Sequence, residues 1–155
     1  MTFGARLAAT AFAHMIAVTP LFAQSADIGQ VKVVKGTVTI ERSGQALATN
    51  VGMRVQAGDI VRTGGDASVG ITMIDDTLLS AGPNSVLTLE RLEYQPTTHT
   101  GRLDTTLATG TLAVVSGRIA KQSPDAMTVR TPFAILGVRG TEFAVSAHEP
   151  LLTNR

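Results

Sequence analysis

No cysteine occurs among the 155 residues, which excludes disulfides, thiolate metal sites, cysteine nucleophiles and a lipid-anchored cysteine. Stability has to come from packing. Tryptophan is also absent and aromatic residues amount to 4%, too few for platforms that stack bases or sugars and for the aromatic girdles of a membrane barrel. Charge is scarce: 13 basic against 12 acidic side chains leave a net +1, with no general attraction to a phosphate backbone, so no nucleic-acid partner is expected. What is present is apolar material, 44% of the chain, enough for one domain with its own core, and 15 glycines that point to many tight turns.

A long apolar run occurs at the N-terminus. Arg6 precedes residues 7–18, a stretch interrupted only by Thr10 and His14, and Pro20 and Ala23 then supply a helix breaker and a small residue for cleavage. This is the layout of a secretory signal peptide, and the run falls short of the roughly 20 residues that span a bilayer. The expectation is a signal peptide over 1–23 and a single all-β domain over 24–155, its core within 31–147. The exported chain is then periplasmic, keeps no transmembrane segment, and is formally neutral because Arg6 is the only charge removed.

Beyond the leader, apolar and polar residues alternate over 38–41, 69–73, 87–90, 127–130 and 143–146. A period of two means strand, with one face to bury. Turn residues fall between these runs, at Ser43-Gly44, Gly58-Asp59, Gly64-Gly65-Asp66, Gly82-Pro83-Asn84-Ser85, Gly101 and Ser116-Gly117. In the fourth of these, Pro83 suits the second turn position and Asn84 the third. The apolar beat slips between Leu89 and Leu92, which predicts a bulge or a strand end. No segment carries a sustained helical stripe. The expected fold class is all-β, many short antiparallel strands in a compact two-layer sandwich or β-roll. The pairs Gly36-Thr37, Gly110-Thr111 and Gly140-Thr141 read as strand entrances at which glycine takes a positive φ. His99 lies in a polar stretch, 95–100, that reads as a flexible surface loop.

Reactive chemistry is thinly represented. After the leader only His99 and His148 remain, neither with a second ligand at metal spacing, so no metal site is expected. Nucleophile elbows, phosphate loops and dinucleotide fingerprints are missing, and no cofactor is expected. Asp75 and Asp76 are adjacent carboxylates, but neighbours on a strand face opposite ways, and a turn after Ile74 accounts for both. No catalytic residue is assigned. Residues 59–93 hold six acids and two bases, a balance of −4, whereas 101–139 hold five bases and two acids, or +3. These segments either face each other or leave Arg118, Lys121, Arg130 and Arg139 as a ridge for an acidic partner.

The most specific string runs from Thr131-Pro132 through Val138-Arg139-Gly140-Thr141 to Phe143. It resembles the closing signature of the FecR domain family. Gly58-Asp59 with Thr63-Gly64, the Gly82-Pro83-Asn84-Ser85 turn and the strand from Gly110 are similar to that family's earlier segments, in the same order. Thr77 stands where the family often has glycine. The resemblance implies Gly58, Asp59, Thr63, Gly64, Gly82, Pro83, Thr131, Pro132, Arg139, Gly140, Thr141 and Phe143 as signature or structural positions. Family members usually continue with further strands, and the best-known carry an anti-sigma segment, a membrane helix and a receptor-binding module. With a leader at its start and an end at Arg155, this chain is expected to be a stand-alone module that does not relay an iron-uptake signal by itself. Arg139 is read as a bridge between strands or as a recognition group, and Gly140 as a positive-φ position.

The functional expectation is a non-enzymatic binding or sensing module of the envelope, its partner an unidentified protein or a cell-wall glycan. The alternative is a structural envelope protein associating with peptidoglycan or polysaccharide. A hydrolase would rest on Asp75, Asp76 and the histidines alone.

Overall fold

Side chains two apart share one face of an extended chain, so each alternating run can bury one face and hydrate the other. The structure, a computed structural model, describes residues 26–138 and 141–148. Its first strands are β1 Asp27–Lys35, β2 Val38–Arg42, β3 Gln45–Ala48, β4 Arg54–Gln56, β5 Ile60–Thr63 and β6 Ser68–Met73. They are followed by β7 Leu78–Ala81, β8 Val86–Gln95, β9 Thr100–Val115, β10 Met127–Arg130, β11 Ile135–Gly137 and β12 Glu142–Ala147. Between β9 and β10 lie a one-turn helix, α1 Arg118–Gln122, and a 3-10 turn at Pro124–Ala126.

These strands form one sheet bent double. Neighbours are kept through each bend: β2 lies between β3 and β5 just as β1 lies between β4 and β6. Likewise β5 pairs with β8 and β6 with β7, while β8 and β7 both pair with β9. The corners fall at 36–37, 49–53, 64–67, 82–85 and at Gly110 inside β9. On the other edge of β9, β10 lies along its first half and β12 along its second. The first layer thus holds β3, β2, β5, β8, the start of β9, β10 and β11; the second holds β4, β1, β6, β7, the end of β9 and β12. Ile40, Leu87 and Leu107 of the first layer and Val31, Ile71 and Leu112 of the second belong to one buried core. Each such side chain contributes roughly 1.5–3 kcal/mol by leaving water.

The all-β expectation and every alternating run are realised as strands. The predicted slip is a bulge: Leu89 faces Thr105 and Arg91 faces Asp104, so Glu90 is the extra residue. At the Gly82 turn Asn84 has φ 51°, a value asparagine tolerates better than most residues. Gly36 and Gly110 take φ 66° and 90° as expected. Gly110 is not a strand entrance, however. It is the point inside β9 where the strand turns from one layer into the other, and a Cβ there would collide with Ser85.

Two further expectations are corrected. Gly101 is no turn: it sits in β9 opposite Tyr94, where a side chain would run into the Glu93 carbonyl. The sheet is not wholly antiparallel, because β10 runs parallel to β9 after a crossover through α1. That helix is too short to leave a stripe in the sequence. The stretch 95–100 is, as expected, an exposed hairpin end on the surface, where the Tyr94 hydroxyl and His99 Nδ1 lie 2.9 Å apart with the rings stacked. The proposed leader, Arg139 and Gly140 lie outside the described residues.

Candidate functional site

Four of the signature positions, Thr63, Gly64, Gly82 and Pro83, gather at the bends, and the first two, Gly58 and Asp59, lie apart from them. Gly58 donates its N–H to the Leu89 carbonyl at 2.7 Å, and Asp59 immediately precedes β5 with its carboxylate 1% exposed. Arg42 grips that carboxylate with two bonds of 2.8 and 2.7 Å, and the Gln56 N–H donates to it at 2.8 Å. Hydrogen bonding to Asp59 holds the Arg42 guanidinium above its ordinary pKa. A buried carboxylate is stable only with such partners, so removing Arg42 or Asp59 strands the other. Arg42 was not picked out from sequence; a β2 arginine bears no mark of the acid 17 residues later that it binds.

At the next corners side chains replace the ladder that the bend interrupts. The Thr63 hydroxyl donates to the Gly82 carbonyl at 2.6 Å and accepts the Ser85 N–H at 2.8 Å. The Ser85 hydroxyl donates to the Thr111 carbonyl at 3.1 Å and accepts the Thr111 N–H at 3.0 Å. Gly64 donates to the Thr37 carbonyl at 2.9 Å and its own carbonyl accepts the Asn84 N–H at 3.0 Å. Thr63, Gly64, Gly82 and Pro83 are therefore brought together, with Ser85 and Thr111, which the sequence marks only as a turn residue and a strand start, as their partners. Thr131 closes the β10–β11 hairpin, its hydroxyl accepting the Ala134 N–H at 3.0 Å, and Pro132 is in that turn. Thr141 accepts the Ser116 N–H at 2.7 Å and Phe143 packs half-buried on the core. Gly58 and Asp59 stand apart from this group.

Beside the last corner is a groove of about 780 Å³. Its walls are the Pro83-Asn84 turn, residues 108–111 of β9, Pro132 and Phe133 at the hairpin tip, and Ala147 and His148 at the end of β12. β10 stops pairing at Thr106 and β12 begins at Gly110, so among the described residues 107–109 have no strand partner on that edge. Phe133 is 62% exposed on the opposite wall. In the sequence Phe133 is marked only as an aromatic residue beside Pro132 within the FecR-like string.

The carboxylates tested for chemistry are engaged elsewhere. Asp75 is fully buried and accepts the Thr77 N–H and hydroxyl at 3.1 and 2.7 Å and the Ile119 N–H at 3.4 Å. It fastens α1 to the β6–β7 turn. Thr77, in the family's glycine position, accepts the Gly117 N–H at 3.1 Å and shares that role. Asp76 points to solvent and pairs with Arg118 at 2.8 Å. Hydrogen bonding to Tyr94, then the charge of Asp76, holds Arg118 above its ordinary pKa. Arg130 pairs with Glu90 at 2.6 Å. The oppositely charged segments thus meet each other, and Arg118 and Arg130 do not form a free ridge.

Among the described residues no helix is long and apolar enough to cross a membrane, and no group of three or more histidines and acids is placed to hold a metal. No curated protein matches this sequence. A solved structure described as a cell surface anchoring domain is 32% identical over 39% of this chain and 82% of its own, with a TM-score of 0.38, a likeness too low to carry a structural argument. The family described as FecR protein matches residues 59–153, which include β5 to β12 and the corners at Thr63, Gly82 and Gly110. Its members are envelope-associated and in general regulatory or sensing rather than enzymatic. With more than half of its length matched, the chain belongs to the FecR family.

Proposed function

We propose that this chain is a non-catalytic recognition module of the periplasm, exported by its leader, which takes an extended apolar segment of a partner protein into the groove at the Gly110 corner. The observation that carries the reading is that, among the described residues, the β9 edge at 107–109 has no strand partner and lies in a groove with exposed Phe133. Main-chain N–H and C=O groups on such an edge bind an added strand, while the apolar walls select its side chains. Family membership supports an envelope role, and the engagement of Asp75 and Asp76 in structural bonds speaks for binding rather than turnover.

The test places a photo-crosslinking residue at position 133 in cells that export the chain, with position 45 on the remote edge strand β3 as control. The expected result is one partner captured from 133 and not from 45, and lost when Ala108→Arg fills the groove. Equal capture from both positions, or capture that survives Ala108→Arg, overturns the groove reading. Co-sedimentation with purified peptidoglycan that is indifferent to Ala108→Arg would instead favour a structural envelope role. N-terminal sequencing of the exported chain should begin at Gln24.

A further inference from the structure

The outer face of the second layer differs from that of the first, which carries the Glu41–Arg62 and Glu90–Arg130 pairs. Cross-strand register sets Val33, Gly70, Ser80, Ala113 and Ala144 side by side in one row. The adjacent row is Gln30, Thr72, Leu78, Val115 and Glu142. Within these rows Glu142, at the β12 end, carries the charge. Val33, Leu78 and Val115 are 56%, 42% and 40% exposed, and a hollow of about 210 Å³ lies over Gly70 between Val33 and Leu78. At the β1 end Lys32 borders that hollow and Lys35 lies beyond it, both exposed. Lys32, Lys35 and Glu142 have no ion-pair partner among the described residues.

We propose that this face is a self-association surface and that its occupant is the same face of a second copy. The argument is one of charge and relief. The sheet order in this layer is β4, β1, β6, β7, β9, β12. Turning a second copy about a two-fold axis along β7 lays β1 of each copy over β12 of the other, and β6 over β9. Glu142 of the partner then comes over Gln30, whose side-chain oxygen holds the Lys32 ammonium, so Lys32 of each copy lies beside Glu142 of the other, twice over. Val33 comes over Ala144 and Gly70 over Ala113, so the bulkiest side chain of the row meets a small one. Two sheets stacked in this way sit about 10 Å apart and remove Leu78 and Val115 from water. The same operation on the first layer would bury ion-paired arginines and glutamates. This surface is separate from the groove, and its test does not depend on a partner protein.

Sedimentation equilibrium of the exported full-length chain should show a reversible monomer–dimer equilibrium. Ala113→Arg, at an exposed position in the middle of the row, should weaken association at least about a hundredfold by burying an unpaired charge, with the circular-dichroism spectrum unchanged. Lys32→Glu and Glu142→Lys should each weaken it about threefold, and the double exchange should restore it. A monomer at every concentration overturns the proposal, as does a dimer that tolerates Ala113→Arg. Single exchanges that weaken association without recovery in the double variant would place the dimer contact elsewhere and overturn it too.

Discussion

Glu41, Arg62, Glu90 and Arg130 stand in pairs on the outside of the first layer, whereas Val33, Leu78 and Val115 stand over Gly70, Ser80 and Ala113 on the outside of the second. Both faces are halves of the same bent strands, so the contrast does not come from topology. It comes from the solvent face of each half, which the core leaves free to vary. Exposed ion pairs contribute about 0–1 kcal/mol each, so the charged face is a hydrated surface more than a stabilising one. The uncharged face leaves apolar area in water and so suits an interface. What holds the two halves together lies between them, at the corners and in the shared core.

The comparison is broken most severely at a corner. Gly110→Val demands a positive φ of a branched residue and drives its Cβ into Ser85, so both layers should be lost together. A cost above about 4 kcal/mol is expected, read as failure to recover folded protein or a collapsed urea midpoint. Asp59→Ala strands Arg42 and frees the Gln56 N–H; a loss of about 3 kcal/mol in urea unfolding is expected, with a single transition for both layers. Thr63→Val removes the hydroxyl that spans Gly82 and Ser85 while keeping the shape. It should cost about 1–3 kcal/mol, and a loss below 0.5, by order of magnitude, would mean the corner is held by backbone alone.

The faces themselves should respond weakly. Glu90→Gln releases Arg130 and should shift stability by less than about 1 kcal/mol, an effect that vanishes in high salt. Ala113→Arg should leave the unfolding free energy of dilute protein within about 0.5 kcal/mol of the parent. A large loss in that last measurement would show that the second face belongs to the folded monomer rather than to an interface.

Strands, the Gly82 turn and the Leu89 bulge could be read in advance because each is encoded within a few neighbouring residues. Alternation, Pro83 next to Asn84, and a slipped beat are local statements. Gly101 was misread as a turn because a glycine that admits a close carbonyl looks, in one dimension, like a glycine that bends the chain. The α1 turn depends on Asp75, more than 40 residues earlier, and so left no periodic trace. The groove combines Pro83, Gly110, Phe133 and His148, four positions from separate segments, of which Pro83 was marked as a signature residue and Gly110 as a positive-φ glycine.

By itself the sequence determined that this is a thiol-free, weakly charged chain of short strands bearing the FecR strings, because composition and period-two patterning set which surfaces must be buried. The tertiary structure decided that one sheet folds on itself along a line of corners, that Arg42 belongs to Asp59, and that one outer face is charged and the other is not. Those facts depend on which distant strands become neighbours. Register between such strands is fixed only when the two halves close over a common core.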